Sequence, residues 1–330
     1  MKPSQLRTVI LGTGSELPSK VMSNLDLEKL VETTDEWITT RTGIKERRIL
    51  EEGKGNADMA YAASVRALKD AGIEASDLDA IIMGTVTPDY PFPSSACVLE
   101  DMLGARGVFS FDVNAACSGF LNALSVADAF IRAGRIQKAL VVGSDALSRL
   151  LNWKDRGTCI LFGDAAGAVV LGPSDGESDI LYSKMGCDGR EAELIITYAG
   201  GTAMPITPEA LEKNLHTIHM KGREVYKFAV PKFVEIIRTA LRETDLDLSE
   251  IDHFVPHQMN MRMIEAVAER LSFPREKIVI NIENYGNTSA ASIPLALDES
   301  VRSGRIKRGD LLLMSAMGAG ITWGTVILRW

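Results

Sequence analysis

Cys117 lies in Asn114-Ala-Ala-Cys-Ser-Gly-Phe120, between the apolar run Val108–Val113 and a long helical stretch. The pattern predicts a strand-to-helix turn with the cysteine at a helix N-terminus, where unpaired N–H groups and the helix dipole favour a thiolate. Its neighbours Ala115, Ala116, Ser118 and Gly119 are small enough to let a substrate reach the sulfur. A reactive thiol is one reading; a buried inert cysteine, the ordinary fate of a free thiol, is the other. Cys97, Cys159 and Cys187 lack this setting and are expected to be structural.

A thiolate nucleophile or a carbanion-forming step needs an imidazole nearby, and the chain has four histidines. His216 and His219 alternate with apolar residues in Leu215-His-Thr-Ile-His-Met220, as on a half-exposed strand, and no metalloprotease-like glutamate accompanies them. His253 opens the apolar run Phe254-Val255. His257 follows that run in Pro256-His-Gln-Met-Asn-Met-Arg262, at a strand end, where open α/β proteins carry catalytic residues. For His257 taken alone, a satisfied core histidine is the plainer alternative. Asn287 sits in the small, hydrogen-bonding stretch Asn284–Pro294 and reads either as a helix N-cap or as part of a site. Met317-Gly-Ala-Gly-Ile-Thr-Trp-Gly324 reads as a tight hairpin or as the source of a backbone N–H for an oxyanion. Gly12-Thr-Gly-Ser-Glu-Leu-Pro18 begins like a dinucleotide fingerprint, but Leu17 replaces the third glycine and Pro18 follows, which excludes it.

The elements that must position these residues show themselves as an internal repeat. In Cys117–Ile136 and Asn287–Ile306, Asp128, Arg132, Gly134, Arg135 and Ile136 match Asp298, Arg302, Gly304, Arg305 and Ile306 at an offset of 170, and each copy runs into an apolar strand. Upstream, Ser76–Asp79 followed by Ala80-Ile-Ile echoes Ser249–Asp252 followed by His253-Phe-Val at an offset of 173. Two echoes in the same order argue against chance likeness between amphipathic helices. They imply two related α/β halves, 1–175 with Cys117 and 176–330 with His257 and Asn287, in which Cys117 and Asn287 occupy equivalent helix starts. Val9–Leu11, Ala80–Met83, Ala139–Val142 and Leu311–Met314 read as buried strands. Ala57–Ala71 reads as a helix with Asn56 as N-cap and Gly72 as its stop. Alternating apolar runs and amphipathic stretches indicate a layered α/β fold.

Composition narrows the partners. The 330 residues are 46% hydrophobic, enough for a full core, with 44 acidic and 36 basic side chains and a net charge of -8. That balance argues against non-specific nucleic-acid binding, which runs on basic contacts to phosphate, so an anionic partner requires a local basic patch. No two cysteines form a CxxC pair, and four in so long a chain make no disulfide framework. Reduced thiols, the absence of a signal-peptide pattern and the lack of an apolar run long enough to cross a bilayer predict a soluble cytoplasmic protein.

With these motifs in hand, the chain resembles the β-ketoacyl-acyl-carrier-protein synthase III family of the thiolase-like superfamily. The resemblance runs from Val9-Ile-Leu-Gly-Thr-Gly-Ser15 to the last strand. It includes Asp35-Glu-Trp-Ile-Thr-Thr-Arg-Thr-Gly-Ile44, Asn114–Phe120, Val255–Asn260, Gly286–Ala291 and Thr322-Trp-Gly324. It implies a five-layered αβαβα fold of two pseudo-symmetric halves, a homodimer, and a catalytic triad of Cys117, His257 and Asn287. The implied reaction is a decarboxylative Claisen condensation of an acyl-CoA with malonyl-acyl-carrier protein, initiating fatty acid biosynthesis without a metal or redox cofactor. The backbone N–H groups of Cys117 and Ala319 would form an oxyanion hole. Trp37, Arg41, Arg156, Gly222 and Asn260 would hold CoA, with Trp37 and Arg156 sandwiching its adenine. Phe92 and Met317 would shape the acyl pocket, Phe92 from across the dimer interface. Lys227, Arg262 and Arg270 would receive the acidic carrier protein. The chain departs from the family at Met317 and Tyr226, where phenylalanine is usual, and at Glu269, where some members have a basic residue. A specialised priming role, a non-condensing acyltransferase and a non-catalytic subunit are the rivals. Retention of Cys117 and His257 speaks against the last, and retention of Asn287 against the second.

Overall fold

The computed structural model of the protein describes residues 6–174 and 176–330. Its core strands are apolar without alternation because both of their faces are covered. In Ala80–Gly84, Ala80 and Ile82 face a central cluster while Ile81 and Met83 face an outer one. Ala139–Ala146 divides in the same way, Ala139 and Val141 inward, Leu140 and Val142 outward. In the second half, Leu312, Met314 and Ala316 of Leu311–Gly318 face the same central cluster, while Leu311, Leu313 and Met317 face a third.

Two sheets result. The first runs Thr8–Glu16, Asp164–Pro173, Ala139–Ala146, Ala80–Gly84, Phe109–Val113; the second runs Asp179–Cys187, Thr322–Arg329, Leu311–Gly318, His253–Pro256. Taken in this order, the pairings match: antiparallel, antiparallel, then parallel in both. The first sheet adds the parallel strand Phe109–Val113, and the second has only a parallel bridge, Phe254 to Ile278, at that place. The chain therefore repeats its topology as the sequence echoes predict.

The helices complete five layers, αβαβα. Asn56–Ala71 and Ser95–Leu103 pack outside the first sheet, and Gly222–Thr244 and Met261–Leu271 outside the second. Gly119–Arg132 and Ser292–Arg302 lie between the sheets, with Phe120, Leu124, Ile293 and Leu297 in the central cluster. The helix over Ala57–Ala71 starts one residue early, at Asn56, with Gly55 as its N-cap. Asn56 is buried instead, its amide donating to Thr85 Oγ1 and the Ser144 carbonyl. Gly72 stops the helix at φ +66, a left-handed conformation that glycine adopts freely.

One expectation needs correction. Asn287 does not start a helix; it forms a bridge with Phe162. Each central helix is preceded by a short 3-10 turn, Ala116–Ser118 or Ser289–Ala291, whose first residue is left-handed (Ala116 φ 47, Ser289 φ 52). By this landmark Ala116 corresponds to Ser289, and Asn287 lies two residues ahead of the strained position. The central helices are 14 and 11 residues long. The missing three residues account for the change of offset from 173 to 170.

Candidate active site

A cavity of about 1030 Å³ opens between the halves, lined by Cys117, His257 and Asn287 together. Of the four cysteines and four histidines, only Cys117 and His257 line it. Cys159 is buried in a core cluster, as a structural thiol should be. Cys97 and Cys187 are exposed, contrary to expectation: one lies in the first turn of Ser95–Leu103, the other at the end of an edge strand. His219 meets Tyr198 edge to face, and His253 pairs with Asp310 at 3.3 Å.

Cys117 follows the strand Phe109–Val113 within the 3-10 turn. Gly318, at the end of Leu311–Gly318, lets the second half approach it: a Cβ there would lie 2.4 Å from the Cys117 nitrogen. Gly143 serves the other turn, since its Cβ would lie 2.3 Å from the Ala290 carbonyl. The hairpin reading of Met317–Gly324 holds. The segment joins two antiparallel strands and brings Gly318 and Ala319 to the cavity beside Cys117. The expected thiolate is not the resting state. Burial pushes the Cys117 thiol up to about 12; the Ser289 hydroxyl beside it pulls the other way, and buried Asp145 adds to the rise. Loss of water outweighs the helix start.

Asp145, itself at a strand end, ties the surrounding loops together. It accepts hydrogen bonds from the Val86 N–H at 2.8 Å, from the Thr85 and Thr87 hydroxyls at 3.0 and 2.9 Å, and from the Ala290 N–H at 3.2 Å. Burial raises its pKa against these bonds. Sequence reading missed it; a carboxylate in the apolar run Ala139–Ala146 was the signal.

His257 follows His253–Pro256, its N–H bonded to the Ser315 carbonyl at 2.9 Å. Its Nδ1 is 2.7 Å from Ser292 Oγ. Burial alone lowers its pKa to about 3, so it is neutral at pH 7. Asn287 is held by backbone bonds into the first half: its N–H donates to the Leu161 carbonyl at 2.8 Å, and its carbonyl accepts from Gly163 N–H at 3.0 Å. Its Oδ1 accepts from the Ser289 N–H at 2.9 Å, which leaves the amide nitrogen as the group available to a ligand. The site therefore offers a sulfur nucleophile, a neutral imidazole, an amide donor and backbone N–H groups around one space.

The cavity also takes in Trp37, Arg41, Arg156, Gly222, Asn260, Met317, Ala319 and Arg262. Thr34 caps the helix Asp35–Thr42 that carries Trp37 and Arg41, whose guanidinium lies 4.7 Å from the Trp37 ring centroid. Arg156 lies 5.0 Å from the same ring. A base held between two planes needs roughly 7 Å, so the expected sandwich is closed on itself here. Asn260 caps Met261–Leu271 through the Arg262 N–H, and its amide reaches the Arg41 carbonyl at 3.3 Å. Phe92, Lys227 and Arg270 do not line the cavity. Phe92 is 86% exposed, and Lys227 and Arg270 are exposed on outer helices. Among the described residues, no His, Cys, Asp and Glu cluster could hold a metal, and no helix is long and apolar enough to cross a membrane.

Comparison with known proteins adds to this geometry. The family described as 3-oxoacyl-(acyl-carrier-protein) synthase III matches residues 111–189, and its C-terminal counterpart matches 241–330. The chain is 50% identical over 321 residues to a beta-ketoacyl-(acyl-carrier-protein) synthase III of Caldanaerobacter subterraneus subsp. tengcongensis, covering 97% of each. It superimposes on the crystal structure of the 3-oxoacyl-(acyl-carrier-protein) synthase III of Aquifex aeolicus with a TM-score of 0.92 at 48% identity, over 98% of this chain and 100% of that one. A priming beta-ketosynthase from a polyketide biosynthetic pathway is 34% identical with a TM-score of 0.91, over 100% and 98%.

Proposed function

Because the chain belongs to the 3-oxoacyl-(acyl-carrier-protein) synthase III family, we propose that it condenses an acyl-CoA primer with malonyl-acyl-carrier protein, releasing CoA and carbon dioxide, and so initiates fatty acid biosynthesis. The observation that carries this reading is the convergence of Cys117, His257 and Asn287 on one cavity. In the first step Cys117 sulfur attacks the acyl-CoA carbonyl. The backbone N–H groups of Cys117 and Ala319 receive the oxyanion. Collapse breaks the bond to CoA sulfur, which takes the thiol proton. One S–H replaces another, so the exchange is proton-neutral overall, and the Cys117 thiol, pushed up to about 12, must give up its proton as it attacks, since the thiolate is the nucleophile.

In the second step malonyl-acyl-carrier protein loses carbon dioxide. The electron pair left behind forms an enolate whose oxygen accepts hydrogen bonds from neutral His257 and the Asn287 amide. The enolate carbon attacks the acyl-cysteine carbonyl, the oxyanion returns to the backbone hole, and Cys117 leaves and regains a proton. Loss of carbon dioxide drives the bond formation, so the residues act without a resident metal or redox cofactor.

Trp37, Arg41, Arg156, Gly222 and Asn260 hold CoA in this scheme; Arg156 must move off Trp37 to admit the adenine. Met317 shapes the acyl pocket. Exposed Phe92, together with the half-exposed edge strand Phe109–Val113, supports a homodimer in which Phe92 reaches the partner's pocket. Lys227, Arg262 and Arg270 receive the carrier protein. The halves divide as 1–175 and 176–330, and the location is cytoplasmic. The likeness to a polyketide priming ketosynthase favours, as second reading, the same reaction in a specialised pathway.

The test incubates the protein with malonyl-acyl-carrier protein and a panel of acyl-CoAs and resolves products by mass spectrometry. An acyl adduct on Cys117 and a 3-oxoacyl product are expected. Cys117→Ala abolishes the adduct, and Asn287→Ala lowers condensation by about a hundredfold with a smaller effect on acylation. An adduct without 3-oxoacyl product, or normal condensation by Asn287→Ala, contradicts the proposal.

A further inference from the structure

We propose that Ser292 is a positioning residue that fixes which ring nitrogen of His257 carries the proton, keeping Nε2–H as a standing donor to the cavity. The inference rests on the reading of His257 as a hydrogen-bond donor and names what makes it one. Ser292 and His257 are both about 1% exposed, and the 2.7 Å contact between Ser292 Oγ and His257 Nδ1 joins residues 35 apart in sequence. A hydroxyl can act either way toward Nδ1, and each choice dictates the tautomer. If Ser292 donates, Nδ1 is the acceptor and Nε2 carries the proton. If Nδ1 donates, Nε2 faces the cavity as a bare lone pair, and the serine proton needs another acceptor.

No second acceptor stands against that hydroxyl among the described residues. Thr42 and Ser64 send their hydroxyl protons to the carbonyls of Ile38 and Ala60, four residues back on their helices, at 2.7 and 2.6 Å. Ser292 opens its helix after a 3-10 turn, and its one side-chain hydrogen bond is to His257. A buried O–H without an acceptor is strongly disfavoured, so the arrangement in which Ser292 donates is the one that satisfies both groups. A carboxylate in this place would accept from Nδ1 and leave Nε2 a base; no carboxylate is among the causes that shift His257, which is held neutral by burial alone. The serine thus distinguishes a site that donates to an enolate oxygen from one that withdraws protons.

The experiment is nitrogen NMR of the protein labelled with 15N-histidine, the His257 signals being identified by their loss in His257→Gln. An unprotonated Nδ1 and a protonated Nε2 are expected at pH 7; a protonated Nδ1 overturns the inference, whatever any variant does. In Ser292→Ala the ratio of malonyl-carrier-protein decarboxylation to Cys117 acylation is expected to fall about tenfold, a fraction of the loss from removing a donor outright. The His257 nitrogen signals should shift toward a mixture of tautomers, and Ser292→Thr, which keeps the hydroxyl, should restore both. An unchanged ratio in Ser292→Ala, or a loss that threonine does not restore, overturns the inference. Failure of the donor reading itself is seen separately, as normal condensation by His257→Ala.

Discussion

Cys117 and His257 are both shifted by burial, and in opposite senses: the thiol is held protonated and the imidazole unprotonated. Each is thereby neutral at rest, so the empty site carries no charge on the two groups that react. For His257 this has a thermodynamic signature. Its unfolded value is near 6.5 and its folded value about 3, so the unfolded chain binds the proton first as pH falls. Its contribution is present in full above pH 6.5 and is lost progressively as pH drops toward 3. Between pH 7 and pH 5 the stability attributable to His257 should fall by about 2 kcal/mol. Denaturant titrations of the parent and of His257→Gln at both values measure it as the difference between their slopes; equal slopes would show that the ring is accessible to protons. None of this was legible in the sequence. The helix-start argument for a thiolate was sound as far as it went, but burial outweighs it, and the charge of Asp145 and the hydroxyl of Ser289, both distant in sequence from Cys117, act on the thiol as well.

At the scale of elements, the sequence carried most of the arrangement. Unbroken apolar runs announced the strands, and Gly72 announced a helix end. The echo between Asp128–Ile136 and Asp298–Ile306 announced the two central helices, whose C-termini are matched as Arg132 and Arg302. It misplaced their N-termini, because a three-residue difference in helix length is invisible to an alignment anchored at the other end. Asn287 therefore lines the cavity but does not start a helix. What aligns the turns is the packing of glycine against backbone. Gly318→Ala would drive a methyl group to 2.4 Å from the Cys117 nitrogen, which is backbone rather than the end of a flexible side chain. The variant should lose about a hundredfold in the rate of Cys117 acylation, the scale of a displacement near 1 Å, and about 1–3 kcal/mol of stability. Stopped acylation assays and thermal melts read the two separately. Wild-type acylation would show that the backbone relaxes freely here.

Across the whole molecule, the residues that a single chain leaves unexplained point outward. Phe92 is 86% exposed and Tyr90 57% in the same loop, and Phe109 on the edge strand is 52% exposed. The proposed homodimer, paired through this face, would cover all three, and Phe92→Asp is then expected to convert a dimer to monomer in sedimentation at micromolar concentration and to lower condensation with it. A monomeric parent chain would remove the basis for placing Phe92 at the acyl pocket. The proposed docking role of Lys227 and Arg270 rests on family likeness alone, because an exposed cation on an outer helix has no local pattern that distinguishes a docking residue from a solvated one. The closed stack of Arg156 on Trp37 bears on the order of events. In the proposed scheme, where Trp37 and Arg156 hold the adenine, the first substrate brings a nucleotide that must part the two side chains; the second arrives on a carrier protein and brings none. In that scheme the entrance works as a latch that a nucleotide opens and its departure resets. The second substrate would then meet a doorway of a different shape from the one the first passed through.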